Sequence, residues 1–94
     1  MYMKKREIEK FTQSYIYRDN GKCFFVSTGY RSTHIEAAGG EVWYFETYAW
    51  EWDKDTKKRG ERVADNSGAL TEKAALKQHF EVCELLHATG EFKD

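Results

Sequence analysis

Glu41-Val42-Trp43-Tyr44-Phe45-Glu46-Thr47-Tyr48-Ala49-Trp50-Glu51-Trp52-Asp53 decides the fold of this chain. Six of the ten residues 43–52 are aromatic. Aromatic side chains suit the pleated surface of a sheet, so the segment predicts a long β-strand. Alternation along a strand puts Trp43, Phe45, Thr47 and Ala49 on one face. Val42, Tyr44, Glu46, Tyr48, Trp50 and Trp52 point the other way. Neither row is polar. A domain of 94 residues has one small core, which covers one face of such a strand well and two only with difficulty. Which row is core stays open at this level, and the surplus row is expected to meet another molecule.

Upstream, a strand is expected over about Phe11–Arg18, then Asp19-Asn20-Gly21-Lys22 and a second strand from Cys23 to about Tyr30. Asn-Gly favours a type I′ hairpin turn, in which both central residues take positive φ. Residues 2–10 are charged and read as a short helical turn or a frayed lead-in. Residues 31–41 are less regular, and Ala37-Ala38-Gly39-Gly40 gives a flexible or tight connection. Downstream, Lys54 to Gly60 reads as a charged hairpin tip with Gly60 available for a left-handed position. A short fourth strand over residues 61–64 and a turn at Asp65-Asn66-Ser67-Gly68 follow. From Thr71 the period becomes helical, with Thr71 as N-cap, Glu72 in the first turn and Gly90 as the stop. Ala75, Leu76, His79, Phe80, Cys83 and Leu86 form the apolar stripe. The fold class expected is α+β: one domain spanning residues 1–94, with an antiparallel sheet of about four strands and a C-terminal helix packed on one face.

Composition narrows the function classes. Aromatic residues make up 16% and charged residues 33%, which describes a compact chain and not a disordered one. No apolar run approaches the length of a membrane span. Lys4, Lys5 and Arg6 lead into Glu7, Ile8, Glu9 and Lys10, with no hydrophobic signal-peptide region, so cytoplasmic residence is the expectation. Cys23 and Cys83 are expected as reduced, buried thiols. A net charge of −1 argues against both an acidic DNA mimic and a uniformly basic nucleic-acid binder.

The candidate contact residues are Tyr44, Tyr48, Trp50 and Trp52 in the aromatic row and Lys54, Lys57, Lys58, Arg59 and Arg62 in the basic hairpin. Exposed aromatic clusters are frequent anchors of protein interfaces. The same row can instead pack cross-strand on Tyr15, Tyr17 and Phe24 or Phe25. A basic hairpin beside tryptophans also suits entry into a nucleic-acid groove or stacking on single-stranded bases, although Asp53, Asp55 and Glu61 interrupt its charge and such charge runs are usually solvated turns. His79, Cys83 and His87 share a helix face, and a zinc site there would need a further ligand such as His34. Core packing of His79 and Cys83 is the expectation, with no metal and no cofactor. No nucleophile elbow, phosphate loop or paired-carboxylate motif is present, so no enzymatic activity is expected.

Over residues 41–90 the aromatic strand ending in Trp50-Glu51-Trp52-Asp53, the charged turn and the helix carrying Ala75, His79 and Cys83 resemble small accessory proteins of phages and mobile elements. The anti-CRISPR proteins are the best-known group of that kind. The resemblance is one of general style and implies a stoichiometric inhibitor that binds a host protein or ribonucleoprotein complex in the host cytoplasm, with no chemistry of its own. That group shares no common site, so no residue role carries over. The near-neutral charge departs from its acidic DNA-mimic members. Self-association through the uncovered face or an unpaired strand edge is a further expectation, giving a homodimer.

Overall fold

The computed structural model describes residues 9–92, with the side chains of all but residues 9, 10, 33–35 and 38. Four strands run β1 Glu9–Tyr17, β2 Cys23–Ile35, β3 Gly40–Asp53 and β4 Lys58–Ala69, followed by helix α1 Glu72–Thr89. They form one antiparallel meander in the order β1-β2-β3-β4. The α+β arrangement read from the sequence is therefore the observed one. Of the lead-in expected at residues 2–10, residues 2–8 lie outside the described residues, and residues 9 and 10 are already strand, the start of β1.

The helix decides which aromatic row is core. In register, Val26 faces Ala49 and Ala49 faces Ala64. These small residues let α1 approach closely, and Phe24, Val26, Ala49 and Ala64 close on Val82, Cys83 and Leu86. Phe45, Ala69 and Ala75 make a second cluster with Phe11 and Tyr30 at its edge. The row containing Phe45, Thr47 and Ala49 is thus core, and the row containing Tyr48, Trp50 and Trp52 lies on the face opposite α1, which carries no helix among the described residues. Trp43 has core parity but is partly exposed, and it stacks on Tyr30 at 4.9 Å between ring centroids.

A polar network crosses this core. The Oγ1 of Thr28 lies 2.8 Å from Nδ1 of His79, and the Oγ of Ser14 lies 2.8 Å from its Nε2. The hydroxyls of Thr28 and Thr47 are 2.7 Å apart, and the Gln78 amide donates to Thr47. His79 is fully buried with both ring nitrogens engaged, so its polar atoms are satisfied in place of water. Cys23 and Cys83 are buried and not bonded to each other.

Several local expectations are corrected. β2 runs on to Ile35 and β4 to Ala69, well past the limits of residues 30 and 64. The long β3 offers both a hydrogen-bonding partner along its length, and this overrides the turn chemistry of Asp65-Asn66-Ser67-Gly68. The strain is taken up in register shifts opposite Phe45/Glu46 and Ala49/Trp50, and by Gly68 at φ +110°. The first hairpin is not type I′. Only Gly21 takes positive φ, +88°, while the Arg18 N–H donates to the Lys22 carbonyl at 2.9 Å and the side chain of Asn20 accepts from the Lys22 N–H. This matches the longer hairpin loop in which a single left-handed residue closes the turn. At the second hairpin Lys57, not Gly60, is left-handed at φ +58°, and Oδ1 of Asp53 accepts from the N–H groups of Asp55 and Thr56.

α1 carries the caps expected of it: Thr71 accepts from the Ala74 N–H, and Gly90 is left-handed at φ +78°. Its buried stripe is Ala75, His79, Val82, Cys83 and Leu86. Leu76 and Phe80 flank that stripe, and Phe80 is 55% exposed. The sheet meets a narrower arc of the helix than the apolar pattern spans.

Candidate binding face

The face without a helix is built from alternate residues of all four strands. Tyr15 lies opposite Phe25, Phe25 opposite Trp50, and Trp50 opposite Arg62, with Trp52 opposite Arg59. Their rings form one cluster. Tyr15 is 5.0 Å from Phe25 and 5.1 Å from Trp52, and Trp50 stacks on Phe25 at 5.8 Å. Tyr48 extends the row, 5.6 Å from Trp50. Cross-strand aromatic pairs of this kind stabilise a sheet, so part of the row is structural. Phe25 is that part, 9% exposed beneath its neighbours, whereas Tyr15 and Tyr17 at the edge are 50% and 55% exposed.

Arginines cover the rings. The guanidinium of Arg59 sits 4.6 Å from the centre of Trp50, and that of Arg62 sits 5.1 Å from the centre of Tyr48. Both distances fall within cation–π range. Bulges in β4 opposite Trp50 and Trp52 aim these two side chains onto the face. Lys57, Arg59, Gln13, Tyr15, Phe25 and Trp52 line an open recess of about 390 Å³. Lys54 and Lys58 lie at the hairpin tip. They line an adjoining recess of about 480 Å³ with Glu51, Asp53 and Asp55, where the charge is mixed, and Trp52 and Arg59 line it too.

The far end of the face is acidic but internally compensated. Arg31 bonds both the Glu46 carboxylate and the Tyr48 hydroxyl. Burial pushes the Glu46 carboxyl up, but hydrogen bonds from Tyr48, Arg31 and Asp65 outweigh it and hold it below the usual carboxylate range. Burial, and then the neighbouring Glu46, push the Asp65 carboxyl up. Tyr44, opposite Arg31 in register, belongs to this end and not to the tryptophan cluster.

Of the expected contact residues, Tyr48, Trp50, Trp52, Lys57, Arg59 and Arg62 come together. Tyr15, Phe25 and Arg31 were not among them. The parity of β1 and β2 carries a signal for Tyr15 and Phe25, once the hairpin register selects Phe25 over Phe24. Nothing in the sequence marks Arg31. The His79–Cys83–His87 cluster does not form a site, because His79 spends both ring nitrogens on hydroxyls. The side chain of His34 lies outside the described residues. Among the described residues no group of three or more His, Cys, Asp or Glu side chains is placed to hold a metal ion. Among the described residues no helix is long and apolar enough to cross a membrane. No protein-family model matches the chain, and no curated protein or solved structure shows significant similarity to it.

Proposed function

We propose that this protein is a non-catalytic binding module that engages a macromolecular partner through the helix-free face of its sheet. One observation carries the reading. The α-helix of the described residues packs on the opposite face, leaving Tyr15 exposed and Tyr48, Trp50 and Trp52 half-buried beneath arginine side chains alone. Tyrosine, tryptophan and arginine together are the residue types that anchor interfaces. Stoichiometric inhibition of a host complex, the use implied by the resemblance to phage accessory proteins, would draw on this same surface.

A photo-crosslinking amino acid at Tyr15 or Trp52, compared with one at Lys73 on the outer side of the helix, tests the reading in cells expressing the full chain. Macromolecular adducts are expected from the sheet positions and not from the helix. Equal adducts at both places, or none from the sheet, would place the contact surface elsewhere.

A further inference from the structure

We propose that the partner of this face is single-stranded nucleic acid, with bases stacked against Tyr15 and Trp52 and phosphates held by Lys57, Arg59 and Arg62. The inference rests on the binding-face reading and names its ligand. It starts from how charge is distributed over the face. The chain as a whole carries −1, yet the charged side chains lining the recess of Tyr15, Phe25 and Trp52 are Lys57 and Arg59, with Arg62 over the neighbouring Tyr48 ring and Asp65, opposite Tyr48 in register, as the acid that acts on it. Glu51 and Asp53 alternate with Trp52 along β3 and share the hairpin-tip recess with Trp52 and Arg59, where Glu51 pairs with Lys22 and Asp53 caps its own turn. Glu46 is at the far end and is engaged by Arg31.

Among the described residues, the salt bridges are Lys22–Glu51 and Arg31–Glu46, and neither includes Arg59 or Arg62. Two guanidinium groups thus lie over aromatic rings with no carboxylate of the described residues in salt-bridge range, Asp65 acting on Arg62 only from farther off. Such a pair suits a ligand that offers anions and π-faces in alternation. A nucleic-acid strand does so along its whole length, with backbone phosphates for the cations and bases that stack on aromatics whatever their sequence.

Shape selects a single strand over a duplex. The face is a sheet surface, and its recess is partly open to solvent and bordered by the half-exposed Tyr15. No helix or protruding ribbon of the described residues stands on this face to enter a major groove, which is the usual route to the bases of a duplex. A flat platform reaches bases only where they are already unpaired. Few hydrogen-bonding side chains other than Gln13 and the cations border the cluster, so weak sequence preference follows.

The test is fluorescence polarisation of the full chain with labelled oligo-dT, oligo-rU and a mixed-sequence DNA duplex, each about twenty nucleotides long, across a salt series. Single strands are expected to bind, and the duplex to bind at least tenfold more weakly. With three phosphate contacts the slope of log affinity against log salt is about −2, so a fourfold rise in salt weakens binding about 20-fold. Trp52→Ala is expected to lower affinity at least tenfold, with circular dichroism reporting whether the fold persists. Arg59→Gln with Arg62→Gln, both at exposed positions, is expected to weaken binding and flatten the slope by about 1.4. Lys73→Gln with Lys77→Gln on the helix is expected to change neither.

Absence of binding to both single strands at about 50 μM protein in low salt would overturn the inference, as would equal affinity for the duplex or equal loss in the helix variant. The crosslinking readout separates this failure from that of the parent reading. Sheet-face adducts that resist nuclease and are destroyed by protease mean a protein partner, so the nucleic-acid inference falls and the binding face stands. No sheet-face adducts of either kind remove both.

Discussion

At the scale of single residues, His79 shows how this small core tolerates a polar group. It is fully buried beneath the sheet and held by Ser14 and Thr28, with Thr47 and Gln78 extending the network. Burial disfavours the imidazolium, so its pKa in the folded protein lies below the usual 6.5. Above about pH 6.5 both folded and unfolded chains hold a neutral ring, and the stability from this site is complete. Below that value the unfolded chain takes up a proton that the native one refuses, so stability falls as pH falls toward the depressed folded pKa. Thermal melts from about pH 7 to about pH 5 should therefore show a falling Tm, with a shallower fall in His79→Gln. An equal slope in that variant would assign the acid sensitivity to other groups. Glu46, held below the ordinary carboxylate range, contributes only to losses at lower pH, under the 4.5 of an unperturbed glutamate.

At the scale of elements, the first hairpin and the helix are tied end to end. Arg18 donates to the carbonyls of His87 and Ala88 at 3.0 and 3.3 Å, where α1 leaves acceptors unpaired and the helix dipole is negative. Gly90 ends the helix in the left-handed region, and a Cβ there would come within 2.8 Å of the Arg18 guanidinium. Arg18→Ala should cost about 1 kcal/mol in urea unfolding, since two charge-assisted bonds and a dipole contact are lost from a partly exposed site. No measurable change would show that the pair contributes nothing at the surface. The helix-free face has its own two layers. Phe25→Ala should destabilise the fold by about 3 kcal/mol, because it removes the ring on which Tyr15, Trp50 and Trp52 rest. Tyr15→Ser with Tyr17→Ser should change stability by less than about 1 kcal/mol in the same measurement, since both rings are half exposed. A large loss in the tyrosine variant would turn the edge of the proposed contact surface into core.

At the scale of the whole molecule, the described residues form a thin slab, 50 × 26 × 18 Å, with a radius of gyration of 14.9 Å. A compact chain of this length has a radius of about 12 Å. The difference reflects β3, which at about 3.3 Å per residue is nearly twice as long as α1 at about 1.5 Å per residue. One helix therefore covers part of one face, and the other face keeps its aromatic row. With an anionic partner on that face, the protein alone should sediment as a monomer at tens of micromolar. A dimer abolished by Trp52→Ser would give the face to a second copy, the homodimer also expected of an uncovered sheet.

The sequence by itself determined the elements. The aromatic density of residues 43–52, the Asn20-Gly21 turn, and Thr71 and Gly90 at the helix ends are local signals, and each acts through backbone chemistry within a few residues. Most of the candidate site was legible in the same way, since Tyr48, Trp50, Trp52, Arg59 and Arg62 stand close together along one hairpin. Which row faces the helix was not legible, because Ala49 and Thr47 reveal a close helix contact only when Val26, Ala64 and Leu86 are brought opposite them. The full length of β4 was hidden too, since Asp65-Asn66-Ser67-Gly68 prefers a turn and becomes a strand only against β3. Tertiary structure alone chose Tyr15 and Phe25 over Phe24 as the partners of the row, set Lys54 and Lys58 in a recess of mixed charge, and engaged Glu46 with Arg31. Each of these depends on register between segments far apart in the chain, and a shift of one residue would reverse every face.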